Sequence, residues 1–179
     1  MKTRELTMTA LCCALTCILA PMTVTLPITL IPFSLSLLPI FLTGALLPKK
    51  NAFLAILLYV ILGLVGLPVF SGFAAGVGVL AGPTGGFIVG YPFTALAVAW
   101  AMGKRASVLR FAVGAAIGLV LCYLPGSVWY AVSAHVSYGQ SLLAAVAPFV
   151  VWDALKAVLA GSAAAAVRAA LHKAKLAVG

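Results

Sequence analysis

The charges of this chain sit in a few short stretches, and the sequence between them is almost wholly apolar. Residues 6–48, 51–103 and 111–152 contain no Lys, Arg, Asp or Glu. The 179 residues are 65% hydrophobic and 7% charged, whereas globular domains carry about 25% charged residues. Such a chain reads as an integral membrane protein. A span takes roughly 20 apolar residues, so the length accommodates about six helices and no second, soluble domain. Cytoplasmic loops of membrane proteins collect Lys and Arg. With the N-terminus inside, Lys2, Arg4, Lys49, Lys50, Lys104, Arg105, Arg110, Arg168, Lys173 and Lys175 all fall at cytoplasmic ends, which is ten of the 11 basic residues. Five or seven helices would divide them between the two sides. The expected fold is therefore all-α, with six transmembrane helices, both termini cytoplasmic, and residues 1–179 forming one transmembrane domain. On this topology the net charge of +9 reflects orientation in the lipid bilayer and argues against a nucleic-acid partner.

In chain order, helices are expected over residues 6–20, 33–47, 52–66, 83–102 and 108–124, the last with an option to continue past Pro125 to 131. The final helix begins at 142 or 148 and ends at 171. The N-terminus M-K-T-R-E-L resembles the start of a signal peptide, but no small-x-small cleavage site follows, so residues 6–20 read as a retained helix. Ala10, Cys13, Ala14 and Cys17 fall at i, i+3, i+4 and i+7 on it, a stripe of small side chains of the kind that lets membrane helices approach closely. Internal packing and an external partner helix both fit that stripe. Pro21, Pro27 and Pro32 exclude a regular helix between the first two spans, leaving an extended outer segment. The four cysteines all lie in apolar runs and read as small buried hydrophobes, and no metal-ligand spacing accompanies them.

Residues 67–91 read L-P-V-F-S-G-F-A-A-G-V-G-V-L-A-G-P-T-G-G-F-I-V-G-Y; with Gly66 they hold eight of the 17 glycines. Flexible loops are built from polar turn residues, and this one carries Phe, Val, Leu and Ala instead. Non-helical backbone at membrane depth is tolerated where it is buried in protein or lines a cavity, and glycine lets backbone polar groups approach a ligand closely. The stretch is expected to form the lid and wall of a small-molecule pocket, with a long extramembrane loop as the alternative. The two acidic residues differ in setting. Glu5 is a solvated or capping residue at the cytoplasmic start. Asp153, in V-V-W-D-A-L-K-A, shares a helix face with Lys156 at i, i+3, flanked by Phe149 and Trp152. Charges inside a span are costly and usually face a cavity, partner or pathway. The pair reads as the polar end of the pocket, and a purely structural ion pair is the alternative. No Ser/His/Asp set, His-rich cluster or nucleotide-binding loop accompanies it. Gly76-x-Gly78 lacks the strand-to-helix setting of a dinucleotide fingerprint, and His135 reads as a loop residue. The chain is not expected to be an enzyme.

The motifs G-L-P-V-F at 66–70, G-P-T-G-G-F at 82–87 and P-F-V-V-W-D-A-L-K-A at 148–157 resemble the BioY family. P-F-S-L-S-L at 32–37 and G-A-L-L-P-K-K-N-A at 44–52 add to the likeness. Members of that family are the biotin-specific S components, or substrate-binding subunits, of energy-coupling factor (ECF) transporters. The resemblance implies an ECF S-component-like bundle in a prokaryotic plasma membrane that captures biotin from outside. Its partners would be a membrane-embedded coupling (T) subunit and two cytoplasmic ATPase subunits, which carry the ATP chemistry. The chain itself would hold no cofactor, and self-association as a homo-oligomer is a further arrangement the family allows. Substrate contacts are implied at Ser36, Gly72, Thr84, Phe87, Tyr91, Trp152, Asp153 and Lys156, and docking on the coupling subunit at Ala10 and Ala14. Two positions depart from the family pattern. Ser34-Leu35-Ser36-Leu37 stands where many relatives have Thr-Leu-Gln-Thr, so a polar contact there is shorter. Phe87 stands where many have Tyr, so a hydroxyl is lost. The rival readings are an S component for another vitamin or for a biotin precursor such as dethiobiotin, and a purely structural membrane subunit.

Overall fold

A computed structural model describes residues 3–24, 33–103 and 107–173. Pro27, Pro32, Lys2, Lys104, Arg105 and Lys175 lie outside the described residues. Eight α-helices are present among the described residues: α1 (Thr3–Leu19), α2 (Leu37–Leu46), α3 (Lys49–Leu64), α4 (Val77–Ala81), α5 (Gly85–Met102), α6 (Val108–Ser133), α7 (Tyr138–Ala145) and α8 (Ala147–Lys173). The six of ten or more residues correspond in order to the six expected from the sequence. Three of them, α5, α6 and α8, are long and apolar enough to cross a membrane, and α2 is a shorter apolar helix.

The boundaries differ from expectation at informative places. The second helix starts at Leu37 rather than Phe33. Phe33 and Ser34 form a two-residue strand, β2, antiparallel to β1 (Thr23–Val24), with Thr23 opposite Ser34. This pairing across the eight residues between the strands has no local signal. The fifth helix takes the longer option and runs through Pro125 to Ser133. The last segment is two helices. Ser137 and Gln140 form a reciprocal capping box that starts α7, the helix stops at Val146, and α8 restarts with Pro148 in its first turn, where a missing N–H costs nothing.

The core is the α5–α6 pair, with α2 and α3 packed on the other side of α5. Small residues recur every fourth position on both partners: Gly86, Gly90 and Thr94 on α5, Gly114, Gly118, Cys122 and Gly126 on α6. A Cβ on Gly90 would stand 2.9 Å from Cys122 Cα, and one on Gly118 2.9 Å from Thr94 Cγ2. Thr94 Oγ1 donates to its own turn at Gly90 O (3.1 Å) and lies 2.9 Å from Gly118 O across the seam. Backbone-to-backbone approach of this kind is the membrane solution to helix association, where lipid removes the hydrophobic drive. Pro92 and Pro125 lie inside these helices. The Leu121 carbonyl, which Pro125 cannot bond, faces the seam at Gly90, as tolerated prolines in packed spans require.

Cross-contacts define the two ends of the bundle. At one end Asn51 Nδ2 donates to Thr9 Oγ1 (3.1 Å), Gly114 meets Val98, and Gly161 meets Phe111. Arg4, Lys49, Lys50, Arg110, Arg168 and Lys173 lie at the helix ends on this side. At the other end Gly72 N donates to Pro21 O (3.0 Å), Trp129 Nε1 donates to Gly82 O (3.0 Å), and the Phe33 ring stacks on Phe149 at 4.4 Å. The Gly-rich stretch is gathered at this second end.

Candidate substrate pocket

The Gly-rich stretch is an ordered wall built on one anchor. After α3 the chain turns back, and the buried Phe70 ring sits on Gly63, where a Cβ would lie 2.2 Å from the ring. Phe70 N donates to Ala74 O (3.0 Å), closing a tight turn over Ser71–Phe73 in which Gly72 has φ 71° and Phe73 φ 60°. Left-handed backbone suits glycine at the first of these positions and strains Phe at the second. The chain then forms α4 and, through Thr84 as N-cap, enters α5. Ser71, Ala74, Val79, Thr84, Phe87, Ile88 and Tyr91 all face one cavity of about 210 Å³.

The opposite wall comes from α6 and α8. Lys156 Nζ lies 2.6 Å from Asp153 Oδ1, with both residues buried. The Tyr123 hydroxyl donates to Asp153 Oδ2 at 2.5 Å. The three side chains form a compact group with one positive and one negative charge, and all three line the cavity. A second polar group lies on the α2 side. Ser34 Oγ and Ser36 Oγ are hydrogen-bonded to one another, Ser34 also reaches Ala20 O (3.3 Å), and the Tyr59 and Tyr91 hydroxyls come up to Ser36. Phe149, Phe87, Leu37 and Ile88 add apolar surface to the lining. A cavity mostly apolar, with a few convergent polar groups, is the usual form of a small-molecule site. Among the described residues no cluster of three or more His, Cys, Asp or Glu side chains is placed to hold a metal ion.

A family model matches residues 1–173, and it is that of the BioY family. The chain belongs to the BioY family. It is 36% identical over 160 residues to a probable biotin transporter BioY of Pyrococcus horikoshii, covering 89% of this chain and 93% of that one. It is 32% identical over 160 residues to the biotin transporter BioY2 of Lactococcus lactis subsp. cremoris, covering 88% of this chain and 86% of the relative. The fold is shared with the crystal structure of an S-component for biotin from an ECF-type ABC transporter. That match has a TM-score of 0.84 and 22% identity, covering 93% of this chain and 92% of the other. The chain is thus a helical membrane protein of a transporter family.

The structure brings six of the eight sequence-predicted site residues of this BioY chain together around the cavity: Ser36, Thr84, Phe87, Tyr91, Asp153 and Lys156. Gly72 and Trp152 stand apart from the lining. Gly72 uses its N–H on Pro21 O and is exposed, so its neighbour Ser71 faces the cavity instead. Trp152 precedes Asp153 on α8, and that rotation turns it outward, 48% exposed and edge-on to Phe33 at 6.0 Å. The small stripe on α1 divides. Ala10 and Ala14 are exposed, whereas Cys13 is buried in the core. Sequence reasoning missed Tyr123, Tyr59 and Ser34. For Tyr123 a faint signal existed, since a phenol in an uncharged span needs a partner for its hydroxyl.

Proposed function

We propose that this BioY chain is the biotin-binding membrane subunit of an energy-coupling factor transporter, taking biotin from the outside for uptake driven by ATP. The observation that carries this reading is the Tyr123–Asp153–Lys156 group, its two charged side chains buried, facing a mostly apolar cavity. Placing two charges in a span is costly unless function retains them. The group offers acceptors on Asp153 and remaining donors on Lys156. It complements a neutral ring that both donates and accepts, such as the ureido ring of biotin. The hydroxyls of Ser34, Ser36, Tyr59 and Tyr91 supply a second polar group, and the apolar lining suits a hydrocarbon body. ATP hydrolysis belongs to two cytoplasmic ATPase subunits, joined through a membrane-embedded coupling subunit that docks at Ala10 and Ala14. The setting is a prokaryotic plasma membrane, with six spans and both termini cytoplasmic, the charged helix ends facing the cytoplasm. The test is calorimetric titration of the purified, ligand-stripped protein in detergent with biotin, dethiobiotin and biotin methyl ester. Tight one-to-one binding of biotin, weaker for the other two, is expected. A folded protein that takes up none of the three returns the structural-subunit reading, and a preference for dethiobiotin moves the assignment to a precursor.

A further inference from the structure

Asp153 presents two carboxylate oxygens, and each has its own donor from a different helix. Lys156, one turn away on α8, holds Oδ1 at 2.6 Å, and Tyr123, on α6, holds Oδ2 at 2.5 Å. The ion pair by itself leaves the carboxylate free to turn, because the terminal torsion of Asp is broad and roughly two-fold. An i, i+3 lysine can follow either oxygen. With no second donor, Asp153 would be drawn toward Lys156 through both oxygens. That arrangement consumes ammonium donors and turns the acceptor lone pairs away from the cavity.

We propose that Tyr123 is a positioning residue for ligand recognition, fixing the plane of the Asp153 carboxylate so that Lys156 keeps donors, and Asp153 keeps acceptors, directed at the ligand. The phenol is suited to this task. Its ring is carried on the stretch of α6, from Gly114 to Trp129, that packs closely against α5, so its hydroxyl is held in place relative to the core. It brings no charge, so the group remains neutral overall and favours a neutral donor–acceptor ligand over an ion. It also gives Oδ2 a partner when the cavity is empty; a buried carboxylate oxygen without one costs the full desolvation of that atom. This assignment rests on the biotin-binding reading above, and the controls below separate the two.

The test is Tyr123→Phe, which removes one oxygen and keeps the ring, read by equilibrium binding of radiolabelled biotin to the detergent-purified full chain. Affinity is expected to fall by about 10-fold or more, in line with loss of a hydrogen bond to a charged group. The same change made on an Asp153→Asn background is expected to move affinity by less than about 2-fold, because residues that act through one another are not additive. A role confined to helix packing predicts the same loss on both backgrounds. Wild-type protein that binds no biotin overturns the biotin reading and this inference with it. Biotin-binding wild type with an unchanged or tighter Tyr123→Phe variant, or with a loss undiminished by Asp153→Asn, overturns the Tyr123 assignment alone.

Discussion

Helices α5 and α8 have similar hydropathy, and they do opposite work. In their most apolar 18 residues, α5 is 67% buried inside the protein and α8 28%. The buried helix carries no charge and spends Gly86, Gly90, Thr94 and Ala97 on close approach to its neighbours. The peripheral helix exposes Val150, Val151, Leu155, Val158 and Leu159, a surface suited to lipid, and carries Asp153 and Lys156 on its one inward stripe. In water, a charged pair on the less buried element would point outward. In a bilayer the outside is apolar, so the pair turns into the protein and marks the cavity. Stability and recognition are thus placed on different helices, and substitutions should separate them.

The largest expected effect lies on the α5–α6 seam. A Cβ at Gly86 would stand 2.4 Å from Trp129 Cβ and 2.5 Å from the Pro125 carbonyl oxygen, and a backbone atom cannot step aside. Gly86→Leu is expected to cost more than about 3 kcal/mol, seen as loss of monodisperse protein and a collapsed melting transition in detergent. Ala163→Leu adds a similar volume on the exposed face of α8 and should leave the melt nearly unchanged. Equal tolerance of the two substitutions would break the contrast between the helices.

Next in size is the charged pair. Asp153→Asn leaves the Lys156 ammonium buried without its counter-charge, a change that typically costs about 3–5 kcal/mol. Replacing both partners, Asp153→Leu with Lys156→Met, removes the uncompensated charge and is expected to restore the melting temperature while biotin affinity stays well below wild type. A double variant that is still unstable would make the pair a structural lock, the alternative left open by the sequence. Calorimetry and thermal unfolding on the same three samples decide between them.

The same contrast explains what could be read from the sequence. A charge within an uncharged span is rare enough that Asp153 and Lys156 stand out, and the Gly-rich stretch stands out by composition, although Thr84, Phe87 and Tyr91 within it are singled out only by the family resemblance. The Gly-x-x-x-Gly spacing from Gly86 to Gly90 and from Gly114 to Gly118 was equally present, but it marks packing, and only the structure tells which helices it joins. The extended start at Phe33 and Ser34 depends on pairing with Thr23 and Val24, which no helical period in that segment reveals. Tyr123 was hidden because a phenol among Leu, Val and Cys resembles core until its hydroxyl partner, 30 residues away on another helix, is known. Gly72 and Trp152 stand outside the cavity lining for a geometric reason. Each adjoins a residue that lines the cavity, and one step along a turn or helix points a side chain elsewhere.

The smallest effect on the chain itself is expected at Ala10 and Ala14, and it tests whether a third region is independent of both helices. These alanines are exposed on α1 while Cys12 and Cys13 face the core, so Trp at either position enlarges an outer surface without entering the fold. Co-purification with the coupling subunit should be lost, and biotin affinity should stay within about 2-fold of wild type. The affinity measurement carries the sharper information, because α1 is tied to the pocket at its far end. Three successive carbonyls there accept from pocket-wall segments: Ala20 O from Ser34 Oγ at 3.3 Å, Pro21 O from Gly72 N at 3.0 Å, and Met22 O from Leu35 N at 3.1 Å. A rigid α1 that serves only as a bracket transmits nothing, and affinity stays constant. An affinity change well beyond 2-fold would show that a surface substitution some two to three turns away moves those carbonyls. The outer face of α1 and the pocket would then be one mechanical unit, and the division of labour between helices would hold for α5 and α8 only.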